Sequence, residues 1–238
     1  MIDLHAHILP GMDDGAKDVQ TSLALLGALQ RQGVTCVAAT PHLYLSRERA
    51  ESFLARRANA LQALADAASR SGDPLPAIIP GAEAALHPEL LELDSLGQLC
   101  YQGTNYLLVE MPYDPWQSWM FDLLFELTAV HGVRPVIAHI DRYLFSSDIA
   151  FDLDGLLELG LPLQMNVSSY LRADRRRKLK KYIADGEIQL VGSDCHNMDR
   201  RPPQFDLFRQ RLAKSGQLDF WGRAKTAAEQ LLANEDVI

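Results

Sequence analysis

Short apolar runs alternate with longer segments of helical periodicity along most of the chain. After the first run, Val19, Leu23 and Leu26 recur at the spacing of a helix face. Asp18 precedes them as a candidate N-cap, and Gly33 follows as a stop signal. This alternation is typical of βαβ units that build a parallel sheet. The seven predicted strands cover residues 2–5, 34–40, 77–83, 106–110, 135–139, 162–166 and 188–193.

The segments between these strands contain no linker, repeat or low-complexity tract, so we expect one domain over residues 1–238. The longest helical segment, 46–70, ends at a break formed by Ser71, Gly72, Asp73 and Pro74. Seven βα units come close to the eight of a (β/α)8 barrel, which carries its chemistry at the carboxyl ends of its strands. The predicted fold class is therefore α/β, arranged as a TIM-like barrel.

Histidines and carboxylates recur where the predicted strands end, and five of the seven histidines lie there. Asp13 and Asp14 follow the first strand in a turn bounded by glycines. Because the carboxyl ends of the strands meet at one rim of a barrel, we expect these side chains to converge. The residues at strand ends are His5, His7, His42, Glu83, Glu110, His139, Asp194 and His196.

A cluster of this kind is unfavourable without cations, because converging carboxylates repel one another. A single histidine at a strand end is more often a hydrogen-bonded structural residue than a ligand. Here, however, six of seven predicted strands deliver His, Asp or Glu to the same rim. Imidazole together with carboxylate suits zinc, iron or manganese better than calcium. The pattern therefore predicts a multinuclear metal site.

Composition and charge narrow the function. The formal net charge of −8 provides no general attraction to nucleic acid or to an anionic membrane surface. Three cysteines without a CxxC pair indicate free thiols in a reducing compartment. The first residues do not resemble a signal peptide, and the apolar runs are far shorter than the ~20 residues that cross a bilayer. We expect a cytoplasmic protein with no membrane insertion and no nucleic-acid partner.

Six short motifs together resemble the polymerase and histidinol phosphatase (PHP) superfamily of metal-dependent phosphoesterases. Residues 2–18 are similar to the opening of bacterial PHP-type protein-tyrosine phosphatases from capsule and exopolysaccharide operons. The resemblance implies the PHP fold, a distorted (β/α)7 barrel. The motifs are His5-Ala6-His7, Thr40-Pro41-His42, Gly81-Ala82-Glu83, Val109-Glu110, Ala138-His139 and Gly192-Ser193-Asp194-Cys195-His196-Asn197.

The resemblance further implies three divalent metal ions, for which we expect manganese, with iron or zinc as alternatives. Nine ligands with neutral imidazoles would carry −4, so three divalent ions would leave +2, which suits a phosphate dianion. By resemblance, the first ion would take His5, His7, Glu83 and Asp194; the second would take Glu83, Glu110 and His139; and the third would take Asp14, His42 and His196.

The expected reaction is metal-assisted hydrolysis, in which a metal-bridging water is deprotonated and attacks phosphorus without a covalent phosphoenzyme. Arg142, three residues after His139, matches an arginine of the family that binds the phosphoryl group. We assign catalytic roles to Arg142, Asp194 and His196. The chain departs from the usual family pattern at Ala82 and at Ile140-Asp141.

Aromatic residues follow several strand ends and could hold a phosphotyrosyl ring. Tyr44, Tyr113 and Tyr143 are the substrate-binding candidates beside Arg142. The expected partner is the phosphotyrosine-bearing C-terminal tail of a bacterial tyrosine kinase. A basic segment, residues 172–181, holds seven cations and is interpreted either as a solvated helix face or as a docking site for an anionic partner.

Other functions stay open at this point. Histidinol phosphate or another small phosphomonoester is an alternative substrate, and a 3′-5′ exonuclease or a catalytically silent metal-binding regulator is less favoured. Cys195 and Arg201 also satisfy the C-x5-R spacing of cysteine-based tyrosine phosphatases. The intervening loop has no glycine to cradle phosphate and contains Asp199, so we interpret that match as accidental.

Overall fold

A computed structural model describes residues 1–237 and contains nine β-strands and nine α-helices within them. Two single turns of 3₁₀ helix, Pro88–Glu92 and Leu96–Gln98, lie between the fifth and sixth strands. The strands are β1 (Ile2–Ala6), β2 (Cys36–Ala39), β3 (His42–Leu43), β4 (Ala77–Pro80), β5 (Glu83–Ala85), β6 (Tyr106–Glu110), β7 (Arg134–Ile137), β8 (Gln164–Asn166) and β9 (Leu190–Gly192). The helices are α1 (Val19–Arg31), α2 (Ala50–Ser71), α3 (Ser118–Ala129), α4 (Ile140–Leu144), α5 (Leu153–Glu158), α6 (Val167–Leu171), α7 (Ala173–Ala184), α8 (Phe205–Lys214) and α9 (Leu218–Leu232).

All strand pairs between these elements are parallel, and every predicted run contains a strand. The prediction of an α/β fold built on parallel strands is therefore confirmed. Two of the predicted runs are followed by a second short strand: 34–40 contains β2 and ends just before β3, and 77–83 contains β4 and the first residue of β5. The strands form three sheets, with orders β1-β2-β4, β3-β5-β6-β7 and β8-β9.

The part of the expected distorted (β/α)7 barrel that is confirmed is an α/β fold with parallel sheets, and the hydrogen-bonded sheets themselves do not close. Pro41 has no N–H to donate, and the ladder from β1 ends beside it. The register of β1 on β2 also shifts between Asp3 and Ala6. Single parallel bridges, Ile137 with Leu163 and Ala6 with Cys195, connect the sheets instead.

The predicted helix ends are found near their expected positions. The Asp18 carboxylate accepts a hydrogen bond from the Thr21 N–H at 2.8 Å, which caps α1 as expected. Gly33, with φ 80°, follows the end of α1 in the left-handed region. Helix α2 ends at Gly72, with φ 71°, inside the predicted break.

The helices surround the strands, and the apolar core lies between the two. A second buried cluster, with Leu4 and Leu108 from the strands and Leu231 from α9, closes the other side of β1 and β6. Within residues 1–237, no helix is both long enough and apolar enough to cross a bilayer.

Candidate metal centre

The carboxyl ends of the strands and the loops after them bring all nine predicted ligands together. Seven of the nine residues are buried, whereas the His42 side chain is 14% exposed and that of Asp14 is 65% exposed. The cluster therefore opens to solvent on the side of Asp14. His5 lies on β1, His42 and Glu83 begin β3 and β5, Glu110 ends β6, and His7, Asp14, His139, Asp194 and His196 lie in the loops after the strands.

The first predicted ligand set is compact. His5 Nε2 and His7 Nε2 lie 3.1 Å apart. Glu83 Oε2 lies 3.1 Å from His5 Nε2 and 3.2 Å from His7 Nε2. Asp194 Oδ1 lies 3.7 Å and 3.4 Å from the same two nitrogens. Four donor atoms thus face one small volume.

The second and third sets meet the first at Glu83. His139 Nε2 lies 2.8 Å from Glu83 Oε1 and 3.4 Å from Glu110 Oε1. In the third set, Asp14 Oδ1 lies 3.2 Å from His196 Nε2 and 3.8 Å from His42 Nε2. In three groups of residues, all donor atoms lie within 4.8 Å of one another: His7-Asp14-His42-His196, His5-His7-Glu83 and His42-Glu83-Glu110. In these groups His7 also belongs with the third predicted ligand set, and His42 also belongs with the second.

Two buried atoms show that these residues fit divalent cations. Glu83 Oε2 and His196 Nε2 are inaccessible to solvent and make no hydrogen bond of good geometry within residues 1–237, although imidazole nitrogens lie 3.0 Å to 3.2 Å from the first atom and Asp14 Oδ1 lies 3.2 Å from the second. Buried polar atoms are normally paired, and a cation would pair both of these. The mixture of imidazole and carboxylate donors is one that first-row divalent metals accept.

The pKa values of the ligand histidines also indicate that the buried carboxylates favour positive charge nearby. Although burial opposes it, the ion pair with Asp13 raises the pKa of His7 well above its ordinary value. Glu110 and Glu83 raise the pKa of His139 to about 9 in spite of its burial. Burial and His7 lower the pKa of His196 to about 4. Protons on the first two imidazoles thus offset the buried carboxylates.

The carboxylates themselves stay ionised. Burial would raise the pKa of Glu83, but His5, His139 and His42 hold that pKa well below the ordinary value. Burial likewise opposes ionisation of Asp194, yet His5, His7 and Arg142 hold its pKa well below the ordinary value. Both carboxylates are therefore available as ligands rather than as proton donors.

Three polar residues outside the predicted ligand set fix the orientation of the ligands. Asp13 accepts from His7 Nδ1 at 2.7 Å and from the His42 N–H at 2.9 Å. Gln164 Oε1 lies 3.1 Å from His5 Nδ1. Asn166 Nδ2 donates to Asp194 at 2.7 Å. Partners of this kind set imidazole tautomer and position in metal sites. The Asp13-Asp14 pair in the sequence was the available signal for the first of them.

Two of the ligands have a strained backbone. His139 has φ 33° and Asp194 has φ 53°, in the left-handed region that residues other than glycine seldom adopt. The Asp194 N–H donates to the His5 carbonyl at 2.7 Å, which holds that turn in place. Strain of this kind is concentrated at functional sites.

Two arginines border the ligand cluster on the side of Asp194. Arg142 lies where the sequence placed it and donates to Asp194 and, at 3.1 Å, to the Tyr113 hydroxyl. Arg201 donates to Asp194 Oδ1 at 2.8 Å, a role that sequence reasoning missed. The only sequence signal for Arg201 is its C-x5-R spacing from Cys195, which is typical of cysteine-based phosphatases and not of metal centres.

A family model for capsular polysaccharide synthesis, CpsB/CapC, matches residues 1–223. The chain belongs to the CpsB/CapC family. It is 32% identical over 206 residues to tyrosine-protein phosphatase YwqE of Bacillus subtilis, which covers 84% of this chain and 79% of YwqE. It is 29% identical over 215 residues to tyrosine-protein phosphatase CpsB of Streptococcus agalactiae, which covers 85% and 86% of the two chains. The predicted family is confirmed.

Solved structures agree with membership of the CpsB/CapC family. YwqE from Bacillus subtilis and CpsB from Streptococcus pneumoniae, metal-dependent tyrosine phosphatases, have known crystal structures. One of these chains matches with a TM-score of 0.85 at 28% identity, covering 100% of this chain and 96% of its own. The lactonase Lmo2620 from Listeria monocytogenes matches with a TM-score of 0.53 at 12% identity, covering 99% and 92%, which concerns the fold alone.

The substrate-binding tyrosines predicted for this CpsB/CapC protein fall into two groups. Tyr44 donates to Glu110 at 3.1 Å, and Tyr113 is 51% exposed at the edge of the cluster. Tyr143, in contrast, is fully buried and donates its hydroxyl to the Met111 carbonyl at 2.7 Å. Its ring packs beneath that of Tyr113, with centroids 5.4 Å apart. We therefore correct the role of Tyr143 from substrate contact to support.

The C-x5-R match is not a thiol active site. The Cys195 side chain is fully buried, and burial raises the pKa of its thiol far above the ordinary value. Arg201 points to Asp194 instead of cradling an anion beside the sulfur. A protonated, inaccessible thiol is a poor nucleophile.

Most cations of the basic segment 172–181 take part in contacts within the fold. Arg176 donates to the carbonyls of Tyr170 and Leu171, and Lys178 donates to that of Leu144. Lys180 donates to the Ser215 carbonyl at 2.8 Å. These bonds connect α7 to its neighbours, which favours the interpretation of this segment as a helix face and not as one continuous docking site.

Proposed function

We propose that this chain is a metal-dependent protein-tyrosine phosphatase that regulates capsule or exopolysaccharide synthesis. The observation that carries the proposal is the convergence of nine imidazole and carboxylate ligands beside two arginines, in a member of the CpsB/CapC family. The tyrosine phosphatase names of the relatives support the substrate class. The whole chain acts as one domain in this proposal.

The centre would hold three divalent ions, with manganese expected first and iron or zinc as alternatives. The predicted ligand sets would bind them, and His7 and His42 each belong to two of the compact groups of donor atoms. Four carboxylates among nine ligands leave room for a net positive site once three ions are bound. Bound divalent ions would polarise the phosphoryl group and lower the pKa of a coordinated water.

The chain's own residues bind and orient the substrate. Arg142 and Arg201 lie on the two oxygens of Asp194, so their guanidinium groups are within reach of phosphoryl oxygens at the same edge. Tyr113 is the exposed ring beside Arg142 and packs against the phosphotyrosyl ring. Asp13, Gln164 and Asn166 keep the ligands from turning away when substrate binds.

The ligand roles of Asp194 and His196 favour an aryl phosphate. Both residues are assigned to the metal ions in this proposal, so neither is assigned to supply a proton to the leaving group. Phenol oxygen, with a pKa of about 10, leaves without such help more readily than an alkyl alcohol. Phosphotyrosine therefore suits this site better than histidinol phosphate.

The physiological substrate in this proposal is the phosphotyrosine-bearing C-terminal tail of a bacterial tyrosine kinase. Its support is the exposed position of Tyr113 and the open side of the cluster at Asp14, which admit a phosphotyrosine carried on a flexible segment.

A paired assay of chelator-stripped and metal-loaded protein tests the proposed function. We expect metal-dependent hydrolysis of a phosphotyrosyl peptide in preference to histidinol phosphate and to a single-stranded oligonucleotide. Cys195→Ser is the matched control and should keep its activity, because its thiol is buried. Preference for another substrate would overturn the substrate, and turnover that ignores chelators but is lost in Cys195→Ser would overturn the mechanism.

A further inference from the structure

A second, smaller pocket lies directly beside the metal centre. Its volume is about 190 Å³, and it adjoins the ligand cluster through Asp194. The loop after β9 forms one wall, and α6 with the start of α7 forms the other. Arg142 and Arg201 also line the pocket, and both bond to Asp194. The residues that carry the argument are Arg142, Ser168, Arg175, Asp194, Arg200 and Arg201.

Two arginines of this pocket have no acidic partner. Among residues 1–237, no carboxylate lies within 4.0 Å of the side-chain nitrogens of Arg175 or Arg200. Arg175 is held in position, because its Nη1 donates to Ser169 Oγ at 3.0 Å and its guanidinium lies 5.2 Å from the Phe145 ring centroid. Arg200 is exposed and lines the pocket. Both cations are therefore available to an external anion.

The acidic side chains that line the pocket do not neutralise these two arginines. Asp141 accepts from the Asn166 N–H at 2.7 Å and from Ser169 Oγ at 2.5 Å. Asp194 is occupied by Arg142, Arg201 and Asn166. Four arginines against two aspartates give the lining a net charge of +2 in a chain whose net charge is −8. Such a local excess of cationic donors favours an anion.

We propose that this pocket binds a second anionic side chain of the phosphotyrosyl substrate, a carboxylate or a second phosphate near the phosphotyrosine. The inference rests on the proposed function and adds a preference for acidic peptides. A pocket of 190 Å³ is smaller than the ~300 Å³ at which drug-sized ligand sites begin, so it suits one anionic group and not a whole phosphotyrosine. Arg175 and Arg200 donate to the anion, and the Ser168 hydroxyl lies beside them.

Binding of the second anion should change substrate affinity and leave the chemical step unchanged. The second anion is remote from the reacting phosphorus, so its contacts are the same in the ground state and in the transition state. We therefore expect KM, and not kcat, to depend on the flanking charge. We also expect this preference to fade at high salt, because Arg200 is exposed.

The experiment compares three peptides that differ only beside one phosphotyrosine, with glutamine, glutamate or a second phosphotyrosine there. Metal-loaded wild-type protein should show a KM roughly three- to tenfold lower for the two anionic peptides than for the glutamine peptide. Arg175→Gln, which keeps a donor for Ser169, should lose most of this difference, and Arg200→Glu should reverse it. Arg177→Gln, an exposed cation on the same helix, is the matched control and should behave as wild type.

Hydrolysis of para-nitrophenyl phosphate separates the two proposals, because this small ester carries no flanking charge. Equal rates in all variants show that they are folded and active. If the wild type hydrolyses this ester, and if its KM is the same for all three peptides, the pocket inference fails and the proposed function stands. If no phosphotyrosyl substrate is hydrolysed, the proposed function fails. A lower KM for only one anionic peptide identifies whether carboxylate or phosphate is bound.

Discussion

At the scale of single residues, Glu83 is the point at which the ligand sets meet. Its Oε2 lies 3.1 Å, 3.2 Å and 3.0 Å from nitrogens of His5, His7 and His42, and its Oε1 lies 2.8 Å from His139. A fully buried carboxylate is costly unless cations surround it. The four imidazole nitrogens around Glu83 therefore indicate that its carboxylate is stabilised by positive charge, from protons or from metal ions.

Asp13→Asn tests whether the contact to His7 supports metal binding. The variant keeps one oxygen, which can still accept from the His42 N–H, but the amide NH2 cannot accept from the Gly15 N–H. It loses the charge that orients His7, and metal affinity should fall roughly 10- to 100-fold. Metal titration monitored by calorimetry measures this loss.

Asp122→Asn on the exposed face of α3 is the matched control for this charge change. It should bind metal as the wild type does. Equal affinities in the wild type and Asp13→Asn would show that the Asp13 carboxylate plays no part in the metal centre.

Metal binding should release protons and strengthen as the pH rises. The pKa of His139 is about 9 in the chain alone, so this imidazole is protonated at pH 7 and must lose its proton to act as a ligand. Apparent affinity should therefore rise up to about pH 9 and fall at lower pH. Calorimetry at pH 7 in two buffers of different ionisation enthalpy counts the protons released.

We expect at least one proton released per protein molecule at saturation. His131→Gln, which alters an exposed histidine outside the cluster, should give the same number. A binding enthalpy independent of the buffer would mean that His139 is neutral before metal binds, contrary to this account.

At the scale of elements, all seven predicted strands exist because each is a short apolar run between turn signals. The short strands β3 and β5, which closely follow β2 and β4, were missed as separate strands. Pro41 separates β2 from β3 because it has no N–H to donate to a neighbouring strand. Closure of the sheets likewise depends on pairings between distant strands, which an apolar pattern does not encode.

Gly192→Ala tests the close approach between β9 and β1. A Cβ at this position would lie 2.5 Å from His5 Cβ and 2.9 Å from Gln164 Nε2, closer than real contacts allow. We expect a loss of about 1–3 kcal/mol in unfolding free energy. Metal affinity should fall as well, because both contacted residues belong to the centre. Urea denaturation measures the stability.

Gly222→Ala is the matched control, because the same substitution in α9 meets nothing within 4 Å. It should stabilise the protein by about 0.5–1 kcal/mol through helix propensity. If Gly192→Ala also stabilised the protein, the strands would not be as close as described.

At the scale of the whole molecule, the convergence of the eight strand-end residues could be predicted because parallel strands deliver their ends to one side of the fold, whereas Asp14 entered as a ligand only through the resemblance. The residues that orient these ligands could not be predicted from the sequence. Gln164 lies 159 positions from His5 in the sequence, and its contact depends on β9, which pairs with β8 and lies against β1. The burial of Tyr143 was missed for a similar reason, because its environment is built by Trp116 and Met111 from another loop.

The most direct test of the central claim is activity on a phosphotyrosyl peptide as a function of bound metal. Chelator-stripped protein is titrated with manganese while hydrolysis and metal content are measured on the same sample. We predict negligible activity without metal, and recovery that follows metal content up to three ions per chain. Full activity in the stripped protein, or loaded protein that leaves the peptide intact, would contradict the account.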